Sequence, residues 1–200
     1  MIVCVTGPMA AGKNAACEIL EELGFVSIDA DITVHQAVEN SKDLICQSFG
    51  KIAQQKNISL INSDGTVNRR NVGSIIFEDP KLVQTQENIV YPEVTRILKE
   101  FIDYHTKLGK NVVINATVLY KVDLIKQMDK VIFIDAPVLQ RFFRAKKRDG
   151  MKPKQILQRF SNQKHLFTKY KKSNADIVRV WNTGNFQQLQ KKIQKLVSGF

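Results

Sequence analysis

Apolar runs rich in Val and Ile recur at 2–6, 25–29, 111–115, 131–135 and 176–181. They are close to continuously hydrophobic rather than alternating, the pattern of strands covered on both faces by helices. Between them the apolar positions fall at helical spacing, and helices are expected near 13–23, 31–49, 69–78, 80–108, 121–128, 137–149, 153–172 and 185–197. In the 80–108 run, Leu82, Ile89, Val90, Val94, Ile97, Leu98 and Phe101 form the apolar set, and Pro92 is expected to kink or break the helix. Gly150 and Pro153 separate two basic helices. Strands alternating with helices predict an α/β fold: a five-stranded, mostly parallel sheet with helices on both faces. The stretch from about 31 to 108 is too long for a simple crossover and is expected to build a helical substrate-binding subdomain.

The 200-residue length fits one domain, with 44% hydrophobic residues to fill a core. No apolar run approaches the ~20 residues of a membrane span, and no basic, apolar leader stands before Ile2. The expectation is a cytoplasmic protein with no membrane partner. Cys4, Cys17 and Cys46 form neither a CxxC pair nor a Cys/His cluster, so they read as free thiols. The formal charge of +11 is uneven. Residues 1–50 carry only Lys13 and Lys42 as basic side chains, whereas 138–172 carry twelve against the single acid Asp149. That asymmetry points to an anionic partner for the C-terminal half: nucleic acid, a membrane surface or a polyphosphate, with a solvated basic face as the plain alternative.

Candidate chemistry sharpens the picture. The octapeptide GPMAAGKN at 7–14 follows the first strand and opens the first helix. Gly7 ends the strand, and Gly12 with Lys13 begins the helix, where successive backbone N–H groups and the helix dipole attract one anion. At the end of the second strand Asp29 and Asp31 flank one alanine, on the same sheet edge as the loop. One of them is placed to orient or deprotonate a substrate hydroxyl, while Asp31 is equally placed to cap a helix. Arg141, Arg144 and Arg148 share one face of a basic helix, suited to a transferring phosphoryl group or simply to solvent. Asn182, Thr183 and Gly184 form the last strand-to-helix turn.

Taken in order, these pieces resemble the dephospho-CoA kinase family, almost end to end. After the loop come LGF at 23–25, IDAD at 28–31, FG at 49–50, DGTVNRR at 64–70, IF at 76–77, Tyr91–Pro92 where the family has His-Pro, the arginines, Gln163, Ala175–Asp176, Asn182 and Gly184. The resemblance implies a P-loop kinase fold with a nucleotide core (about 1–30, 109–136 and 174–200), a helical subdomain (about 31–108) and a basic lid (about 137–172). It implies transfer of the ATP γ-phosphate, with Mg²⁺, to the ribose 3′-hydroxyl of dephospho-CoA, and no nucleic-acid partner. Asp31 would activate the acceptor hydroxyl, with Asp29 beside it. Gly7, Ala10, Ala11, Gly12, Lys13, Asn14 and Ala15 would hold the phosphates. Arg69 would serve the substrate side, Arg144 and Arg148 would close on ATP, and Asn182 to Gly184 would lie beside the adenine.

Several positions depart from that family pattern. Pro8 and Ala10 replace loop glycines, and Pro8 offers no amide donor. Asn14 replaces the hydroxyl that ligates Mg²⁺, although an amide oxygen can also hold the ion or one of its waters. Asn115 stands for a carboxylate, Lys121 for an acid and Arg141 for Gln. These changes keep two alternatives open: a catalytically weakened relative that binds nucleotide, and a kinase of another nucleotide or small molecule. The oligomeric state is not encoded in any of these features.

Overall fold

A computed structural model describes residues 1–198. The elements run β1 (Ile2–Thr6), α1 (Lys13–Glu22), β2 (Val26–Asp29), α2 (Ala30–Asn40), α3 (Lys42–Gln55), α4 (Arg69–Ile76), α5 (Pro80–Lys107), β3 (Val112–Asn115), β4 (Lys130–Asp135), α6 (Val138–Asp149), α7 (Pro153–Asn162), α8 (Leu166–Lys171), β5 (Ile177–Trp181) and α9 (Phe186–Val197). All five strands pair in parallel in the order β2-β3-β1-β4-β5. Their burial explains their sequence. Val112, Val113, Ile114, Val131, Ile132 and Ile134 are at most 1% exposed, so both faces of the central strands need apolar side chains. One face packs Val3, Val5, Val113 and Ile132 against Ile19 and Leu20 of α1 and Leu189 and Ile193 of α9. Across the sheet Phe133 meets Phe167 and Tyr170 edge-on, and the buried Tyr170 hydroxyl accepts from Leu119 N–H at 3.0 Å.

The chain divides into two compact units, Met1–Asp29 with the chain from Phe101 onward, and Ala30–Glu100. In the second unit the DGTVNRR stretch makes a tight turn: Thr66 donates its N–H and hydroxyl to Asp64 Oδ1, and Ile61 and Val67 form an antiparallel bridge. Glu39 accepts from Val67 N–H, and Asn68 caps α4 by accepting from Asn71 N–H at 3.0 Å.

Four helix expectations change. The 31–49 run breaks at the buried Ser41 and continues to Gln55. The 80–108 helix is not broken at Pro92. Pro92 is exposed, the buried stripe Val90–Val94–Leu98 runs continuously past it, and the carbonyl it leaves unbonded belongs to the exposed Asn88. The 121–128 helix is instead two 3-10 turns at Leu119–Lys121 and Asp123–Gln127, parted by Val122 in an extended conformation. The 153–172 helix divides into α7 and α8 around Gln163, whose side chain is used elsewhere.

Cys4 and Cys17 are buried free thiols and Cys46 is half-buried. Burial raises Cys17 from 9.0 to about 12 and Cys4 further still. A raised thiol gives its full stabilisation below pH 9, where folded and unfolded chains are both neutral. Above that the unfolded thiol ionises first, and stability falls by about 1.4 kcal/mol per pH unit per thiol. At pH 8 a thiol reagent should therefore modify Cys46 quickly and Cys4 and Cys17 only as fast as the protein opens, with the melting temperature falling above pH 9. Equal, immediate labelling of all three would contradict this.

Candidate active site

The loop between β1 and α1 has the backbone its sequence requires at two glycines. Gly7 sits at φ 144°, and a Cβ there would lie 2.0 Å from the Ile134 carbonyl oxygen of β4. Gly12 sits at φ 109°, and a Cβ there would lie 2.2 Å from Asn182 Nδ2. Ala10 keeps a left-handed φ of 60° despite its methyl group, which costs about 1 kcal/mol. Pro8 contributes its carbonyl, which accepts from Ala11 N–H at 3.1 Å to close the turn.

Several side chains converge on this loop. Lys13, the first residue of α1, donates from Nζ to the Gly7 carbonyl at 3.2 Å. The first turn of α1 carries no acid, so nothing there opposes an anion at the helix N-terminus. Asn182, 9% exposed, donates from Nδ2 to the Ala11 carbonyl at 2.8 Å. Arg144 of α6 reaches the Asn182 carbonyl at 3.1 Å and the Ala11 carbonyl at 3.5 Å. Gln163 accepts the Met9 N–H at 2.7 Å, and Met9 packs in one cluster with Ala145, Ile156 and Phe160. The basic segment is thus seated on the loop by an apolar contact and two hydrogen-bonding side chains, Arg144 and Gln163. Its aromatics serve packing first: Phe160 and Tyr170 are buried, while Phe143 is exposed.

At the sheet edge the parallel register sets Asp29 level with Asn115. Asn115 donates from Nδ2 to Asp29 Oδ2 at 3.2 Å and to Asn14 Oδ1 at 3.1 Å. Arg141, 8% exposed, donates to the Ala136 carbonyl and lies over the Phe160 ring at 4.5 Å. Burial lowers its pKa while Asp135 opposes the shift. Asp135 accepts from Arg179 Nε at 3.1 Å, while Arg141 feels it only through its charge.

Of the expected site residues, the first unit brings together Gly7, Ala10, Ala11, Gly12, Lys13, Asn14, Asp29, Arg144 and Asn182. Ala15 follows in α1, Gly184 lies in the turn before α9, and Arg148 is on the exposed side of α6. Asp31 lies in the first turn of α2 and Arg69 opens α4, both exposed and both in the second unit. Gln163 and Asn115 have larger roles than the motifs indicated. Both act through contacts more than a hundred residues away, or nearly so, which spacing does not reveal.

No group of three or more His, Cys, Asp or Glu able to hold a metal occurs among the described residues. Hard cations such as Mg²⁺ need fewer protein ligands, since they keep several waters and take one or two carboxylates beside substrate phosphates. The Asp29 carboxylate, next to the loop through Asn115 and Asn14, fits that demand.

A parallel sheet of this order, with a glycine-lysine loop at the C-terminal end of its central strand β1 and a basic helix seated on that loop, defines a kinase of the P-loop class. The family model described as dephospho-CoA kinase matches residues 1–188. Proteins named dephospho-CoA kinase from Treponema pallidum and Treponema denticola are 33% and 32% identical, over 98% and 96% of this chain and 94% and 87% of their own lengths. The chain belongs to the dephospho-CoA kinase family. The fold agrees: a Thermus thermophilus protein superimposes with a TM-score of 0.80 at 23% identity, over 100% of this chain and 97% of its own. The dephospho-CoA kinase from Campylobacter jejuni does so with 0.73 at 22%, over 98% and 95%.

Proposed function

We propose that this protein transfers the γ-phosphoryl group of ATP to the ribose 3′-hydroxyl of dephospho-CoA, yielding coenzyme A and ADP. Family membership along nearly the whole chain supports the reaction. The observation that carries the site is the convergence of Lys13, Arg144, Asn182 and the Asn14–Asn115–Asp29 series on one loop. The acceptor oxygen bonds to the γ-phosphorus, the bond from that phosphorus to the β,γ-bridging oxygen breaks, and the hydroxyl proton leaves to a base. Asp31 is that base, with Asp29 beside it in sequence and Arg69 on the substrate side. Lys13 and the amides from Ala10 to Ala15 neutralise the outer phosphates, and Arg144 and Arg148 take up charge as it spreads over the transferring group. Asn182 to Gly184 border the base of the nucleotide. Mg²⁺, when bound, screens the phosphate oxygens, and Asp29 is the carboxylate that would hold it.

Residues 31–108 act as the acceptor-binding part and 137–172 as the lid, and the reaction is cytoplasmic. The described residues contain no helix long and apolar enough to cross a membrane. The two amides at 14 and 115, where the family carries a hydroxyl and a carboxylate, favour a second reading, an enzyme that binds nucleotide but turns over slowly. The test is product identification with ATP, Mg²⁺ and dephospho-CoA, beside a panel of nucleosides and nucleotides. Coenzyme A formed only with dephospho-CoA is the expected result. ADP release with another acceptor instead would overturn the assignment, and tight nucleotide binding without product would establish the slow form.

A further inference from the structure

At the C-terminal edge of the sheet, Asp29, Asn115 and Asn14 are hydrogen-bonded in series. Asn115 ends β3 and is 8% exposed, level with Asp29 of β2 and with Val5 of β1. The chemistry of the first member orients the others. An ionised carboxylate only accepts, so Asn115 must turn its NH₂ group to Asp29. That nitrogen gives its second hydrogen to Asn14, which must answer with Oδ1. The oxygen of Asn14 is thereby turned toward a buried neighbour, while the residue itself is exposed at the loop. Its NH₂ group is the end left for a ligand, and among the described residues it has no hydrogen-bond partner.

We infer that Asn14 is a hydrogen-bond donor to a phosphate oxygen of the nucleotide rather than a ligand of the cation, and that Asn115 is the positioning residue that holds it so. A hydroxyl at this position serves as donor and cation ligand by rotating about one bond. The asparagine, with its oxygen engaged, is committed to one role. The loop accordingly grips a nucleoside triphosphate with a contact that needs no metal. This rests on the nucleotide-binding part of the function proposed above and is independent of the acceptor.

The experiment is calorimetric titration of ATP into the full chain, once in EDTA and once with Mg²⁺, using wild type, Asn14→Ala, Asn115→Ala and the double variant. Asn14→Ala is expected to weaken binding about tenfold in EDTA, the scale of one hydrogen bond to a charged oxygen, and by a similar factor with Mg²⁺. Asn115→Ala should weaken it less, and the double variant should bind like Asn14→Ala, because Asn115 acts through Asn14. Unchanged binding of Asn14→Ala in EDTA with a loss confined to Mg²⁺, or no measurable wild-type binding in EDTA, would overturn the inference. So would additive losses in the double variant. If Asn115→Ala does not fold, the exposed Asn14 site alone decides the question. No acceptor is present, so failure here leaves the dephospho-CoA reaction standing or falling on its own product assay.

Discussion

Lys13→Ala is expected to lower kcat for phosphoryl transfer by about a hundred- to a thousandfold, with the melting temperature little changed. Lys13 stands at the first position of α1, where the loop amides already favour an anion. Its ammonium rests on the Gly7 carbonyl at 3.2 Å, within the curve of the loop. In the reaction, charge accumulates on the outer phosphates as the bond to the leaving oxygen breaks, so an ammonium there interacts more strongly with the transition state than with bound ATP. Removing one such preorganised charge typically costs about 3–4 kcal/mol of barrier. The contact with Gly7 is one partly exposed hydrogen bond, worth about 1 kcal/mol to the fold. Steady-state kinetics beside a thermal melt separate the two effects. A kcat within threefold of wild type would remove Lys13 from the mechanism.

The largest structural effect is expected from Gly7→Ala. The added methyl would sit 2.0 Å from Ile134 oxygen and 3.0 Å from its carbonyl carbon, with the residue at φ 144°. The obstacle is backbone of β4, which is paired to β1 on one side and β5 on the other and has no freedom to retreat. Relief must come from moving the loop, so stability and nucleotide binding fall together. A loss of about 3 kcal/mol or more is expected, a drop of roughly 6–12 °C in melting temperature for a chain of this size. Gly50→Ala is the internal control. Gly50 lies inside α3 at ordinary helical φ, with nothing within 4 Å of the new methyl, and its replacement should stabilise by up to about 1 kcal/mol. Equal melting temperatures for Gly7→Ala and wild type would contradict the geometry of the loop.

Much of the fold was legible because the central strands are buried on both faces. Runs such as Val112–Asn115 and Lys130–Asp135 carry apolar residues at nearly every position, and their bounds differ from expectation by one residue. The loop was legible because its glycines answer a local demand, a backbone turned to φ 144° at Gly7 and 109° at Gly12. What escaped depends on tertiary context. Pro92 marked a helix break by local rule, yet packing of Val90, Val94 and Leu98 carries α5 through it. Gln163 looked like a mid-helix residue and instead separates α7 from α8 while binding Met9. Asn115 registered as a lost carboxylate. Its position as the donor between Asp29 and Asn14 appears only once β2 and β3 are placed in register across a long intervening segment.

The most direct measurement is the fate of the ribose 3′-hydroxyl. Purified protein incubated with dephospho-CoA, ATP and Mg²⁺ should convert the acceptor to coenzyme A, with one ADP formed per product and the new phosphate located on the 3′-oxygen by phosphorus NMR. Intact dephospho-CoA after prolonged incubation, or phosphate delivered to a different acceptor, would contradict the account.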